Sequence, residues 1–338
     1  MALSRFLLRR FLNYAILAFL ATSLAYLLAS SLLHPQEVMY PPNTAGGRPI
    51  PPEVQQAYFD ARNINPDVSV WQRYLNWLGN LFTAPWEDKF GVTTGTDKKA
   101  LPVFPEVISR IGISLRLVVL GTLIGVIGGI ALGAWSAVKR GKLSDRTVSF
   151  ISFVVLALPT PVIILVLQGA NMAMRGATGF GFPSVNAIDP NAVPGSWDDI
   201  SFQILALVLP TIALALMGAA SYSRYMKVTT LDVLGADYLR TARAKGLTKG
   251  QAMRKHGFRM ALIPMGQYFA YAFAGAFAGS FFVERLFNWQ GIGNWALVQM
   301  QIADVNGTAA VVLYTAILTL IAATLADFIQ AVLDPRIR

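Results

Sequence analysis

The chain has 338 residues, 54% of them hydrophobic and only 14% charged, with a mean hydropathy of +0.50. Soluble domains carry roughly 25% charged residues, so the deficit argues for a membrane protein. The absence of cysteine excludes disulfides, thiolate-bound zinc and thiol nucleophiles. A net charge of +10 would suit nucleic acid, but basic loops in a polytopic protein are a topology signal, and no nucleic-acid partner is expected.

Residues 1–10 are basic, and the apolar run Phe11–Leu33 follows. That run exceeds the ~7–15 residues of a signal-peptide core, so it reads as a retained first span. Residues 34–108 are polar and rich in proline at first (Pro35, Pro41, Pro42, Pro49, Pro51, Pro52). Within them Trp71, Tyr74, Leu75, Leu78 and Phe82 recur at helical spacing behind Ser69, an N-cap candidate. Two readings stay open for this helix: one lying at the bilayer surface, or part of a small packed subdomain outside it.

Span 2 is expected over Ile111–Val138. Gly121, Gly125, Gly129 and Gly133 recur every fourth residue there, forming one ridge on which a neighbouring helix can approach closely. Arg116 is expected to snorkel toward the surface rather than bind anything. Span 3, Val148–Ala170, contains Pro159 and Pro161 and must kink or break. A second outer loop covers Asn171–Asp199, and span 4, Ile200–Tyr222, contains Pro210. Span 5, Ile263–Val283, carries the small residues Ala270, Ala274, Gly275, Ala278 and Gly279; span 6, Thr308–Leu333, ends in a basic tail.

Six spans place both termini on one side. Of the 28 Lys and Arg residues, 18 fall in the N-terminus, Lys139–Arg146, Arg224–Arg259 and the tail, although the opposite loops are longer. This positive-inside bias makes the termini and residues 223–262 cytoplasmic. The fold class expected is therefore an all-α polytopic membrane protein, with its core in residues 109–338.

The densest inner segment is Asp237–Pro264, with seven Lys or Arg residues. It reads as two short helices. Asp237 is placed to cap the first, Gly246 to end it in a left-handed turn, and Thr248 with Gln251 to form a capping box opening a second that runs toward Pro264. Tyr238, Leu239 and Ala242 supply an apolar patch beside Arg240 and Arg243. A helix of about eight residues is marginal alone in water and needs a surface to dock against. Helix-turn-helix DNA binding is excluded by the spans that follow within a few residues on either side.

The run Asp237, Tyr238, Leu239, Arg240, Thr241, Ala242, Arg243, Ala244, Lys245, Gly246, Leu247, followed by His256, Arg259 and Ala261–Pro264, resembles the coupling loop of ABC importer permeases. Arg240, Thr241, Ala242 and Gly246 stand at the positions of that family's Glu-Ala-Ala…Gly motif; the glutamate is missing, in the manner of the dipeptide/oligopeptide/nickel branch. The opening SRFLLRRFLNY, the block Val283–Gly293 and the ending Leu333–Arg338 resemble the same branch, in the same order. Gln290, where proline is common, and His34-Pro35-Gln36 depart from it.

The resemblance implies a type I importer permease fold with a cytoplasmic coupling helix between spans 4 and 5, in a bacterial inner membrane. It implies a second homologous permease, two cytoplasmic ABC ATPases that bind ATP and Mg, and an extracytoplasmic substrate-binding (lipo)protein. Peptide is the cargo implied, with nickel or another small solute as the alternative. The chain itself has no GxxxxGK[ST] phosphate loop, and neither a cofactor nor a metal is expected in it. Glu284, Trp289, Gly291 and Gly293 are candidates for an outer gate or a binding-protein contact. A membrane-embedded enzyme is the rival class, but it needs ionisable residues gathered at depth. Asp327 is the main candidate there, and pairing with an arginine is the expectation; for His256 it is a structural hydrogen bond.

Overall fold

The computed structural model describes residues 2–35, 51–93 and 101–333. These residues are overwhelmingly helical. In chain order they form α1 (Ala2–Leu32), α2 (Pro52–Ala61), α3 (Val70–Thr83), a short β1 (Val92–Thr93) and β2 (Leu101–Pro102), and α4 (Val103–Val138). Then come α5 (Leu143–Ala157), α6 (Thr160–Thr178), α7 (Trp197–Leu234), α8 (Asp237–Ala244), α9 (Lys249–Ala252), α10 (Phe258–Leu286), α11 (Ile292–Gln301) and α12 (Val305–Leu333).

Among the described residues, four helices are long and apolar enough to cross a membrane: Arg9–Leu32 of α1, α4, α7 and Val305–Ile329 of α12. A fifth apolar stretch is the pair α5 and α6, bent by 111° at its break. The cause is in the sequence. Pro159 lacks the N–H that would continue the ladder, and Leu158 before it is forced into extended backbone (ψ 134°). The break expected in span 3 is thus a sharp corner, and α6 runs on to Thr178, well into the stretch expected to be loop. The expected span 5 lies inside α10, whose 29 residues are long enough but not among the four. Pro264, Gln267, Tyr268 and Tyr271 lower its hydropathy. The packing of Ala270, Ala274, Gly275, Ala278 and Gly279, the stretch 36–50 and the tail 334–338, with most of Leu333–Arg338, lie outside the described residues.

Two compact units emerge. One comprises Met1–Phe11, Leu115–Trp289 and Ile321–Arg338; the other comprises Leu12–Ser114 and Gln290–Leu320. The division between them at Ser114 and Leu115 lies inside α4.

In the first unit the glycine ridge of α4 seats α7. A Cβ on Gly121 would stand 2.7 Å from Leu214 Cβ, one on Gly125 3.1 Å from the Ala215 carbonyl, and one on Gly129 2.5 Å from Tyr222 Cβ. At Gly133 it would strike the Ser223 carbonyl. At Gly121, Gly129 and Gly133 only hydrogen on the α-carbon permits this approach, and at Gly125 a Cβ would press on the backbone of α7, which is what makes small residues useful between helices in lipid. Gly128, one position off the ridge, has nothing within 4 Å. Lys227 of α7 pairs with the buried Asp145 of α5, and also donates to Ser149 Oγ at 2.8 Å. Asp327, the ionisable residue expected to find an arginine, pairs with Arg10.

The second unit resolves the two readings of the segment around Trp71: one face is packed and another is bare. Ser69 caps α3 by accepting from the Gln72 amide at 3.3 Å. Arg73 and Trp77 are buried, and the Tyr74 hydroxyl donates to Ser23 Oγ of α1 at 2.9 Å. Tyr26 of α1 stacks on Trp77 with centroids 4.7 Å apart, while Arg73 donates to the Ser30 carbonyl. Burial lowers the Arg73 pKa from its ordinary value, partly opposed by Tyr26. Asn306 of α12 closes the unit, donating to the carbonyls of Arg62 and Val92 at 3.1 and 3.2 Å.

Candidate functional site: the cationic cassette between α7 and α10

The cassette begins where α7 ends at Gly235, whose N–H donates to the carbonyls of Leu231 and Asp232. Ala236 then takes an extended conformation (φ −72°, ψ 143°) and occupies the N-cap position of α8. Asp237 is therefore not the cap. It is the first helical residue, its carboxylate lies 3.4 Å from Arg240, and its charge favours the N-terminal end of the helix dipole. The physical reason is that an alanine in β backbone already starts the helix, with no side-chain cap bond formed.

The expected end is present in full. Gly246 has φ +90°, its N–H donates to Arg243 O at 3.0 Å, and the Leu247 N–H reaches Ala242 O at 3.3 Å. These two bonds make a Schellman turn, which glycine adopts without the penalty a Cβ brings. Gln251 N–H then donates to Thr248 Oγ1 at 3.3 Å, while Gln251 Oε1 accepts from Thr248 N–H at 3.0 Å. That reciprocal pair is the capping box. The helix it opens differs from the expectation, since α9 is only four residues long. It passes through a π turn over Met253–Gly257 straight into α10, with Pro264 inside that helix rather than at its end. Gly257 sits tightly at the turn: a Cβ there would force the Met253 side chain to shift and stand 3.1 Å from Val233.

The surface that an eight-residue helix needs is supplied by its own chain. Leu239 and Ala242 are buried in a cluster with Tyr222, Met226, Ala252, Met253, Ala261 and Met265. Burying a leucine contributes about 1.5–3 kcal/mol, enough to hold a helix that propensity alone would not. Tyr238 leaves the predicted patch. It is 41% exposed, although partial burial still raises its pKa from the ordinary value. Arg240, Thr241, Arg243, Ala244 and Lys245 are all exposed, so one face of α8 is spent on the fold and the other presents cations to water. His256, exposed on the π turn, takes no place in the cluster.

The cluster also ties α8 to the long helices. Tyr222 and Met226 belong to α7, and Ala261 and Met265 to α10. Tyr268 of α10 stacks on Tyr225 (4.7 Å) and shares a hydrogen bond with Ser221 (2.9 Å). The α4 ridge touches the same two residues, at Gly129 against Tyr222 and Gly133 against Met226. Displacing α8 therefore pushes on three apolar helices through side chains in direct contact. Close-packed interiors transmit such displacements with little compression.

The block Val283–Gly293 lies differently from a displayed contact surface. Glu284 is fully buried and Trp289 nearly so, with the Trp289 N–H donating to Glu284 O at 2.7 Å. Arg116 does bind here, contrary to the snorkelling expected of it. It donates to Gln203 Oε1 and to Ala187 O, and its guanidinium stands 5.6 Å over the Trp289 ring. The polar partners on α7 and its preceding loop were not visible from the sequence of α4. In the second unit, Gly291 is the N-cap of α11 and lines a cavity of about 260 Å³ with Gln290, Trp295 and the Glu106–Arg110 pair. Gly293, two residues further on, is buried.

Residues 129–338 match the family model described as "Binding-protein-dependent transport system inner membrane component". The chain is 38% identical to the oligopeptide transport system permease protein OppB of Mycobacterium tuberculosis H37Rv, with 99% of both chains covered. It is 29% identical to the oligopeptide transport system permease protein AppB of Bacillus subtilis (78% of this chain, 79% of that one). The dipeptide transport system permease protein DppB of Escherichia coli K12 is 28% identical, over 87% and 88%.

Proposed function

Because this chain belongs to the binding-protein-dependent transport system inner membrane components, we propose that it is a peptide-translocating permease subunit of an ATP-driven importer. The observation that carries the reading is α8. It is a capped helix whose apolar face is locked to three long helices and whose cationic face is free. Residues Asp237–Leu247 receive the stroke of a cytoplasmic ATPase and pass it through the Leu239–Ala242 cluster to α4, α7 and α10. ATP and Mg are bound by that partner, and the two arrangements of the spans form an equilibrium biased at one contact.

In this reading the core has six spans, with α10 as the fifth and the α5–α6 corner as the third, in a bacterial inner membrane. The positive-inside bias of the basic loops supports cytoplasmic termini and a cytoplasmic cassette. A second permease completes the passage and an external binding protein delivers the peptide. The sparse polarity of the spans suits a passage that does not grip its cargo, so selectivity rests with the binding protein. Glu284 and Trp289 in one unit, and separately Gly291 and Gly293 in the other, are candidates for an outer gate or a binding-protein contact, acting from buried positions.

The test is purification of the tagged chain from its native host, followed by uptake of a labelled tripeptide into proteoliposomes. Two subunits with phosphate loops, a second permease and ATP-dependent uptake are expected. A chain that purifies alone and binds peptide tightly by itself would overturn the proposal.

A further inference from the structure

Helix α3 carries three faces where a surface helix of a globular protein carries two. At 100° per residue, Arg73, Tyr74, Trp77 and Leu81 form the face turned to α1, and Gln72, Asn76, Asn80 and Thr83 form an exposed polar face. The third stripe is Trp71, Leu75, Leu78 and Phe82, confined to about 60° of arc. Trp71 is 66% exposed, Leu75 56% and Phe82 71%. Trp86, just beyond the helix, is 67% exposed, and it is held by the edge of Phe104 at 4.5 Å with Lys89 5.9 Å from its ring. Such an aligned apolar stripe is costly in water and requires a cover.

The position of α3 along α1 identifies the cover. Its contacts fall on Ser23, Tyr26 and Ser30, two to nine residues before α1 ends at Leu32. At 1.5 Å per residue that is about 3–14 Å inside the end of a membrane-crossing helix. Interfacial helices bury their apolar faces about 5–10 Å into the boundary between headgroups and acyl chains. On the face of α1 turned away from these contacts Leu24, Leu28 and Leu32 are exposed over the same stretch, an apolar surface that suits acyl chains at that depth. Tryptophan and lysine together suit this depth, the ring at headgroup level and the ammonium reaching out.

We infer that α3 is an interfacial membrane anchor that inserts Trp71, Leu75, Leu78 and Phe82, with Trp86, among the acyl chains of the leaflet in which α1 ends. This stands apart from the transport reading, since it needs only that α1 crosses the bilayer. The occupant is phospholipid, not a protein partner.

The natural absence of cysteine makes the test direct. Single nitroxide labels at Trp71→Cys, Leu75→Cys and Phe82→Cys, and at Gln72→Cys, Asn80→Cys and Thr83→Cys on the polar face, are read in the full chain with its co-purifying subunits. The vesicles are phosphatidylcholine and phosphatidylglycerol. Expected is greater relaxation by oxygen than by a water-soluble nickel chelate at 71, 75 and 82, and the reverse at 72, 80 and 83. Equal access of the chelate to both sets would show a bare face in water and overturn the inference. Protection of 71, 75 and 82 from both reagents would also overturn it, by showing a protein cover.

Discussion

Two short amphipathic helices, α8 and α3, solve the same local problem and leave opposite remainders. Each lies on its own chain through one face, α8 by Leu239 and Ala242, α3 by Arg73 and Trp77. What α8 leaves uncovered is Arg240, Arg243 and Lys245, whereas α3 leaves Trp71, Leu75 and Phe82. Packing accounts for the buried faces in both cases, so it says nothing about partners. The residue types left over carry that information: cations suit an aqueous protein surface, and aromatic rings suit the edge of a bilayer.

Truncating the packed faces tests whether both helices really depend on their own chain. Trp77→Ala should cost about 3–5 kcal/mol and Leu239→Ala about 2–5 kcal/mol, read as a fall in the thermal unfolding midpoint in detergent. If either variant keeps the parental midpoint, its helix is held by something else. The seating of the α8 cluster on α4 is probed next. Gly133→Leu forces a side chain onto the Ser223 carbonyl and should destabilise by about 1–3 kcal/mol or more. Gly128→Ala should instead stabilise by up to about 1 kcal/mol through helix propensity. Equal behaviour of the two positions would remove the ridge from the account.

Smaller effects isolate the punctuation of the cassette. Gly246→Ala meets no neighbour, so its penalty of about 1–2 kcal/mol comes from the left-handed backbone alone. Thr248→Ala removes one arm of the capping box for about 1 kcal/mol. Hydrogen exchange at the amides of residues 246–252 should quicken in both variants while that of α4 stays unchanged.

Much of this was legible because it is written in local chemistry. The Gly246 turn, the Thr248–Gln251 box, the Ser69 cap, the break at Pro159 and the four-residue glycine period each depend on residues within a turn or two of one another. What escaped the sequence depended on distant partners. Arg116 looked like a lone cation because Gln203, Ala187 and Trp289 are supplied from elsewhere in the chain. Asp237 looked like a cap because its type is right, but the chain starts the helix one residue earlier. Tyr238 and Leu239 are neighbours in sequence, yet helical geometry sends only one of them inward. Of the five residues whose spacing marked α3, Trp71, Leu75, Leu78 and Phe82 form the exposed stripe, whereas Tyr74 turns to the face that packs on α1, which emerged only with the fold.

The central claim is that the exposed face of α8 serves coupling and nothing structural. Its direct test is the double charge reversal Arg240→Glu with Arg243→Glu, reconstituted with the proposed ATPases, second permease and binding protein, with peptide uptake and ATP hydrolysis measured together. Because both side chains are exposed, the unfolding midpoint should stay within what about 0.5 kcal/mol allows. ATP-driven uptake should nevertheless be lost, and hydrolysis should no longer respond to the loaded binding protein. Uptake at the parental rate, with hydrolysis still stimulated, would contradict the account.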